Sequence, residues 1–342
     1  MLMECCVIIP TYNGGQYLQE TLRSVVSQDH MPAEIIVVDD CSTDNTLDIL
    51  SEFKQIKLYR NKKNNGPGIS RVFALGKTAS PLVIFLDQDD LWHPQHLKLL
   101  YDELIKNPNA PAIVSRIVNF PDGDEPEFDI TSQPSSWFNS WGSFPLINYI
   151  SSPSAVLIKR DHLDRVGGWA ANFTGVADYH LWLRLCSHHP LRLLKTVTIG
   201  RRIHNNSYHH RFISNSPLQR MALRYEAGKD ALEYLANNYQ GRSKNRKYIA
   251  TKRLELYGHL YTFTDSIINN TDENIPELVK KIAAIYESST NKKLVNIFIH
   301  LFNNFPQYRN KLFASLNKHW PKQFTITKDK LRKLVRRTGA GL

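Results

Sequence analysis

The sequence predicts an α/β protein: a mostly parallel sheet flanked by helices on both faces, followed by a helical C-terminal domain. Three observations predict it. Short apolar runs, among them Val7-Ile8-Ile9, Ile35-Ile36-Val37-Val38 and Leu82-Val83-Ile84-Phe85-Leu86, read as strands buried on both faces. Segments with apolar residues at helical spacing separate these runs, and such alternation specifies parallel strands joined by helical crossovers. From residue 217 to about 319 only helical periodicity continues.

Residues 5–9 form the first strand and run into Pro10-Thr11-Tyr12-Asn13-Gly14-Gly15, after which Tyr17, Leu18, Leu22, Val25 and Val26 fall at helical spacing. The paired glycines match neither the phosphate-cradling G-x-x-x-x-G-K-[ST] loop nor the dinucleotide-binding G-x-G-x-x-G, so neither motif is supported. Glu34-Ile35-Ile36-Val37-Val38 is the second strand and ends in Asp39-Asp40; Ser42-Thr43-Asp44 then offers caps to a helix through Leu47, Ile49 and Leu50. Residues 56–59 are a short third strand, and Asn64-Asn65-Gly66-Pro67-Gly68 turns into a helix bearing Arg71, Phe73, Ala74 and Leu75.

The fourth strand, 82–86, delivers the cluster Asp87-Gln88-Asp89-Asp90. Like charges about 4 Å apart repel by roughly 4 kcal/mol at an effective dielectric of about 20, so clustered acids favour a divalent ion bridging to a phosphate. The competing account is an acidic helix start ahead of Trp92-His93-Pro94, where the helix dipole favours carboxylates. In a sheet of this class ligands bind outside the carboxyl ends of the strands. Pro10-Thr11-Tyr12, Asp39-Asp40 and residues 87–90 collect at that edge, within reach of Arg71.

A further strand is predicted at 112–118, followed by a polar and aromatic stretch to residue 149 that holds Asp122-Gly123-Asp124-Glu125, Trp137, Trp141 and Phe144. So long a connection is characteristic of lids and binding loops. Trp137 and Trp141 suit sugar stacking, and their spacing of four equally suits the packing face of a helix. The sheet resumes at 154–158, an amphipathic helix opens at Val176-Ala177-Asp178, and a strand at 193–199 leads to Arg201-Arg202-Ile203-His204.

At 342 residues, with 42% hydrophobic and 11% aromatic content, the chain can bury a full core, which excludes a disordered protein. Cys5, Cys6, Cys41 and Cys186 lack C-x-x-C spacing and read as reduced thiols rather than disulfides or a zinc site. No apolar run reaches the roughly 18 residues of a membrane span, and the first residues lead directly into a strand, so a cytoplasmic location is expected. Residues 1–200 hold 17 Lys+Arg against 22 Asp+Glu, whereas residues 201–342 hold 26 against 10. Such asymmetry points to an acidic catalytic part and a basic part facing an anionic membrane surface, a phospholipid-linked substrate or a polyanion; nucleic acid is not expected as a partner. The end of the chain, 328–337, sets Leu331, Leu334 and Val335 on one face of a basic helix, which suits either peripheral attachment to the inner face of the plasma membrane or a solvated tail.

Taken in order, PTYNGGQYLQETLRSVVSQ, IIVVDDCSTDNT, NNGPGISRVFAL and FLDQDDLW resemble the motifs of family 2 glycosyltransferases, the bacterial polysaccharide type with the Rossmann-like GT-A fold. The resemblance covers residues 4 to about 210 and implies a catalytic domain at 1–210 with a helical domain at 211–342. It implies that Pro10, Thr11 and Tyr12 line the nucleobase and ribose pocket, that Asp39 bonds the base, and that Arg71 helps hold the nucleotide. Asp87 and Asp89 match the D-x-D element, Asp87 contacting the nucleotide and Asp89 the Mn²⁺ or Mg²⁺ on its diphosphate. Asp178 matches the catalytic base, although Ala177 stands where the family carries an acid, and a helix-terminal acid is its structural alternative. His204, in a segment similar to H-x-x-S, is either a further metal ligand or a structural histidine, with His209 and His210 as weaker candidates. Trp169, after Gly167-Gly168, falls on the acceptor side with Trp137 and Trp141. Cys41 stands where a Gly is common.

The implied activity is inverting transfer of a sugar from a nucleoside diphosphate sugar, UDP-linked, to a hydroxyl of a saccharide or lipid-linked glycan. Two rivals stand beside it. A sugar nucleotidyltransferase shares the sheet but carries a Gly-rich, Arg-containing loop after the first strand, which PTYNGG is not. A carbohydrate-binding scaffold on a degenerate transferase fold is raised only by Ala177.

Overall fold

The structure, a computed structural model, describes residues 3–131, 134–138, 148, 150–207, 217–238, 244–269 and 275–287, with five further residues between 311 and 318. Trp141, His209, His210 and the basic segment 328–337 lie outside the described residues.

Strands β1 (Met3–Thr11), β2 (Pro32–Asp39), β3 (Ile56–Arg60) and β4 (Leu82–Phe85) run parallel in the order β3-β2-β1-β4, joined through helices α1 (Leu18–Val26), α2 (Thr46–Ser51) and α3 (Pro67–Leu75). The register sets Ile8 beside Ile36 and Phe85, and Cys5 through Ile9 have no exposed surface at all. Strands buried on both faces explain why these runs are apolar without alternation. Cys5, Cys6 and Cys186 are buried and unbridged, and burial first of all pushes the Cys6 thiol up to about 12.

The second half of the sheet is mixed. After β5 (Leu91–Trp92) and α4 (His96–Lys106) come β6 (Ala112–Pro121), β7 (Ser136–Phe138), a single 3-10 turn at Pro153–Ala155, β8 (Val156–Lys159), α5 (Arg160–Arg165), α6 (Ala177–His188) and β9 (Leu191–Ile203). Strand β8 lies antiparallel between β4 and β6, β9 pairs parallel with β6, and β5 and β7 flank β9 antiparallel. Among the described residues, six of the nine strands point the same way.

Several local expectations shift. The last strand begins at Leu191 and continues to Ile203, because β6 pairs with it as far as Pro121↔Ile203, and His204 therefore follows a strand end directly. Residue 154 belongs to the 3-10 turn, where Ser152 Oγ accepts from the Ser154 N–H and delays the strand to Val156. Helix α2 starts at Thr46, with Asp44 Oδ1 accepting the Thr46 N–H at 3.1 Å from just outside the helix. Trp137 sits in strand β7, not on a helix face, because its backbone pairs with Arg192.

From residue 217 on, α7 (Pro217–Asn238), α8 (Lys244–Asn269) and α9 (Ile275–Glu287) belong to a second compact unit. Ala227, Ala231, Leu254, Tyr257, Leu260, Phe263, Val279 and Ile282 are buried in it. Gly228 and Gly258 let α7 and α8 approach closely: a Cβ at Gly258 would stand 2.9 Å from the Tyr225 ring. No helix among the described residues is long and apolar enough to cross a membrane.

Candidate active site

The loops that leave β1, β2 and β4 at the carboxyl edge are tied to one another by side chains. Gln88 Oε1 accepts from Thr11 Oγ1 at 2.6 Å and from the Tyr12 N–H at 2.9 Å, while Thr21 Oγ1 donates to the Gln88 carbonyl at 2.8 Å. Gly14 passes so close that a Cβ there would lie 2.7 Å from Thr11 Oγ1 and 2.8 Å from Gln88 Oε1. Asn13 takes a left-handed backbone, φ 47°, which asparagine tolerates, and its Oδ1 accepts the Thr43 N–H at 2.9 Å. Thr11 is buried beside Asp39 in the sheet, Pro10 pairs with Val38, and Tyr12 is exposed.

At the end of β2 the two acids do different work. Asp39 is fully buried, its carboxylate engaged by Arg60 Nε at 3.0 Å and by the Ser42 N–H at 3.1 Å, so a base would reach it only by sharing those partners. Asp40 gathers the next turn, accepting from Asn61 Nδ2 at 2.7 Å, the Asn65 N–H at 3.0 Å and the Gly66 N–H at 2.7 Å. Between them and the helix, Cys41 holds φ 70°, the left-handed region that favours glycine.

The cluster after β4 is distributed rather than stacked. Asp87 pairs with Arg71, whose guanidinium lies over the Trp169 ring at 4.6 Å; Trp169 in turn meets Phe85 edge-on at 4.9 Å. Asp90 is buried and accepts from Ser152 Oγ at 2.8 Å and Ser154 Oγ at 2.6 Å, with burial holding its carboxyl well above the usual carboxylate range. Asp89 faces His204, Oδ2 to Nε2 at 2.8 Å. Burial pushes Asp87 up to about 6 against the pull of Arg71, and the negative charges of Asp89 and Asp178 push the same way. Asp178 therefore belongs to the same electrostatic group, presented from the first turn of α6 after Gly175 at φ 81°. The dipole there favours an anionic side chain.

Beside His204 lies a network that sequence reasoning did not find. The Tyr17 ring packs on the His204 imidazole, centroids 4.5 Å apart, and its hydroxyl donates to Asp122 Oδ2 at 2.7 Å. Arg202 is buried, with its guanidinium over Tyr17 at 4.8 Å and over Phe120 at 4.7 Å, and it pairs with Glu20 Oε2 at 2.5 Å and Asp122 Oδ1 at 3.6 Å. Burial and then Asp122 push the Tyr17 phenol up to about 12, so it stays a donor. The usable signals were Tyr17 preceding its helix and Arg202 standing two residues before His204, the spacing that puts two strand side chains on one face.

Among the described residues no group of three or more His, Cys, Asp or Glu side chains is placed to enclose an ion. Asp89 with His204, and Asp87 two positions earlier, offer carboxylate oxygens and one imidazole. That set suits Mn²⁺ or Mg²⁺ when substrate phosphates and water complete the shell, the usual arrangement for ions bound by one or two carboxylates. The donor set fits a metal shared with a diphosphate.

Pro10, Thr11, Tyr12, Arg71, Asp87, Asp89, Asp178 and His204 thus come together along one edge, and Asp39 stands just beneath it. Trp169 joins them as a buried support under Arg71 rather than as an open platform. Trp137 does not: it pairs with Arg192, and β6 needs eight residues, from Ile113 opposite Arg192 to Pro121 opposite Ile203, to reach the strand end before His204, roughly 26 Å at about 3.3 Å per strand residue. There its half-exposed ring lies on the Arg192 guanidinium at 5.0 Å.

The chain is similar to known proteins over these same elements. The model of the family described as glycosyl transferase family 2 matches residues 6–167. Staphylococcus aureus TarS, a poly(ribitol-phosphate) beta-N-acetylglucosaminyltransferase, is 39% identical over 103 residues, 28% of this chain and 18% of TarS. The hyaluronan synthase of Pasteurella multocida is 25% identical over 351 residues, 92% of this chain and 33% of that protein, so the chain spans only a fraction of these relatives' lengths. In fold it matches S. aureus TarS 1-349 in complex with UDP-GlcNAc at a TM-score of 0.61 and 18% identity, covering 95% of each chain. It also matches a Pyrobaculum calidifontis mannosyltransferase in complex with GDP-Man and Mn²⁺, with a TM-score of 0.54, 18% identity, and 94% of this chain and 89% of that one covered. With D-x-D acids, arginine and helix-borne acid on a GT-A sheet, residues 6–167 of this chain are similar to glycosyl transferase family 2.

Proposed function

We propose that this chain is an inverting, metal-dependent glycosyltransferase that moves a sugar from a UDP-sugar to a hydroxyl of a saccharide or lipid-linked glycan in cell-surface polysaccharide synthesis. Residues 1–210 form the catalytic domain in this reading and residues 211–342 a helical domain. The observation that carries it is Asp87, paired with Arg71 and within electrostatic reach of Asp89, which faces His204, and of Asp178. TarS solved with UDP-GlcNAc supports a uridine donor, and the mannosyltransferase solved with GDP-Man and Mn²⁺ supports a metal.

The chain's own residues divide the work. Pro10, Thr11 and Tyr12 form the nucleobase and ribose wall, kept in place by Gln88, with Asp39 and its partner Arg60 behind them. Arg71, fixed by Asp87 and the Trp169 ring, brings positive charge to the diphosphate side. Asp178 takes the acceptor's proton while the acceptor oxygen attacks the anomeric carbon from the face opposite the diphosphate, which inverts that centre. When bound by Asp89 and His204, Mn²⁺ or Mg²⁺ supplies charge stabilisation to the leaving diphosphate.

Thermal unfolding with nucleotides tests the donor site. UDP with Mn²⁺ should raise stability by about 2.7 kcal/mol at 100 times its Kd, and EDTA should remove the gain. Equal stabilisation in EDTA, or a preference for adenine nucleotides, counts against the site as described. No hydrolysis of any UDP-sugar despite tight UDP binding would return the chain to the scaffold reading that Ala177 raises.

A further inference from the structure

A ligating imidazole is ordinarily aimed by a hydrogen bond from its other ring nitrogen to a carboxylate, carbonyl or water. His204 has no such partner: its Nδ1 is buried without a hydrogen bond, while Nε2 faces Asp89 at 2.8 Å. What the ring does have is Tyr17, packed at 4.5 Å and an interplanar angle of 56°. Tyr17 is itself restrained at its far end by Asp122 and across its face by Arg202, and neither partner is a local neighbour, at 105 and 185 positions along the chain. Arg202 in turn is anchored by Glu20, one helical turn beyond Tyr17. A buried cation and two acids thus hold the aromatic ring that packs on the imidazole.

We infer that Tyr17 is the positioning residue for His204, its ring replacing the missing Nδ1 hydrogen bond and its hydroxyl tethered by Asp122 so that Nε2 stays directed at the Asp89 side of the crevice. Asp122 is then a tether and not an alternative base, since both its oxygens are engaged, Oδ2 by Tyr17 and Oδ1 by Arg202. This inference rests on the proposed role of His204 in holding a metal with Asp89.

The experiment compares Tyr17→Leu, Tyr17→Phe and His204→Ala in the full chain. Mn²⁺ affinity is measured by electron paramagnetic resonance in the presence of UDP. Loss of an outer partner of a metal ligand typically weakens binding about 10–100-fold, so Tyr17→Leu should fall in that range. Tyr17→Phe keeps the ring and loses only the tether, so it should recover most of the affinity. A second readout needs neither metal nor turnover: histidine ring spectra in EDTA should show one ordered His204 signal, with a cross-relaxation contact to the residue-17 ring, in the wild type and in Tyr17→Phe, and a broadened His204 signal in Tyr17→Leu. Wild-type near-UV dichroism in each variant establishes that the fold is kept. If His204→Ala binds Mn²⁺ as the wild type does, the metal role of His204 is wrong. If His204→Ala loses affinity while Tyr17→Leu keeps both affinity and the single ordered His204 signal, the metal role stands and the positioning role of Tyr17 is overturned. Equal losses in Tyr17→Phe and Tyr17→Leu would move the effect to the hydroxyl and overturn the role of the ring.

Discussion

Asparagine is nearly isosteric with aspartate but cannot take a proton near neutral pH, which makes Asp178→Asn the sharpest single change in this chain. General-base assistance contributes roughly 10²–10⁴-fold, so sugar transfer should fall by about that factor while the donor's Kd, read by calorimetry, stays within a few-fold. A near wild-type rate would leave Asp178 as a helix-terminal acid. A second residue governs acid stability away from the chemistry. His96 is fully buried, its Nδ1 at 2.7 Å from Thr198 Oγ1, and burial, with a smaller contribution from His93, lowers its pKa from 6.5 to about 3. The unfolded chain therefore binds a proton below 6.5 that the folded chain refuses, and stability is lost as pH falls from 6.5 towards 3. At about 1.4 kcal/mol per pH unit the loss reaches about 2 kcal/mol by pH 5. His96→Gln, which can still bond Thr198, should remove that slope in urea titrations at pH 7 and pH 5; an unchanged slope would assign acid sensitivity to other groups.

Single elements carry their own tests where backbone geometry leaves little freedom. Cys41 holds a left-handed backbone at φ 70° in the turn that separates β2 from α2. A left-handed L-residue costs roughly 1–2 kcal/mol, and glycine returns about 0.4–1 kcal/mol of that through its freer unfolded chain. Cys41→Gly should thus raise stability by about 0.5–1 kcal/mol, visible as a higher urea midpoint, and Cys41→Val should lower it. In β9, Gly200 passes beneath Pro126, where a Cβ would stand 2.6 Å from the proline Cβ. Gly200→Ala should cost about 1–3 kcal/mol and make the 121–131 segment more susceptible to protease, because a proline ring cannot turn aside. The motif order was legible at this scale because the central strands β1, β2 and β4 are apolar runs that end in polar loops. The strand at Trp137 was not, since two tryptophans four apart satisfy a helix locally and only the pairing with Arg192 decides otherwise.

For the molecule as a whole, the charge of +11 is concentrated beyond residue 200. Juxtamembrane basic residues contribute roughly 1 kcal/mol each near an anionic surface, less as salt is added. A chain ending at Thr327 should therefore bind anionic vesicles more weakly in sedimentation while keeping its rate on a soluble acceptor. Undiminished vesicle binding by the shortened chain would exclude the tail as an anchor.

By itself the sequence determined the alternation of strand and helix, the buried parallel half of the sheet, and the acids and arginine at its carboxyl edge. Periodicity and loop chemistry are local properties, and in this fold class local order already dictates which strand ends face the ligand. Tertiary structure alone decided that β8 runs antiparallel between β4 and β6, and that Asp40 and Asp90 hold loops and serines. It also placed Trp169 under Arg71 and brought His204 to Asp89 across 115 positions of chain. Those outcomes depend on which surfaces meet once the apolar runs are buried, and a one-dimensional pattern holds no record of a contact between residues so far apart.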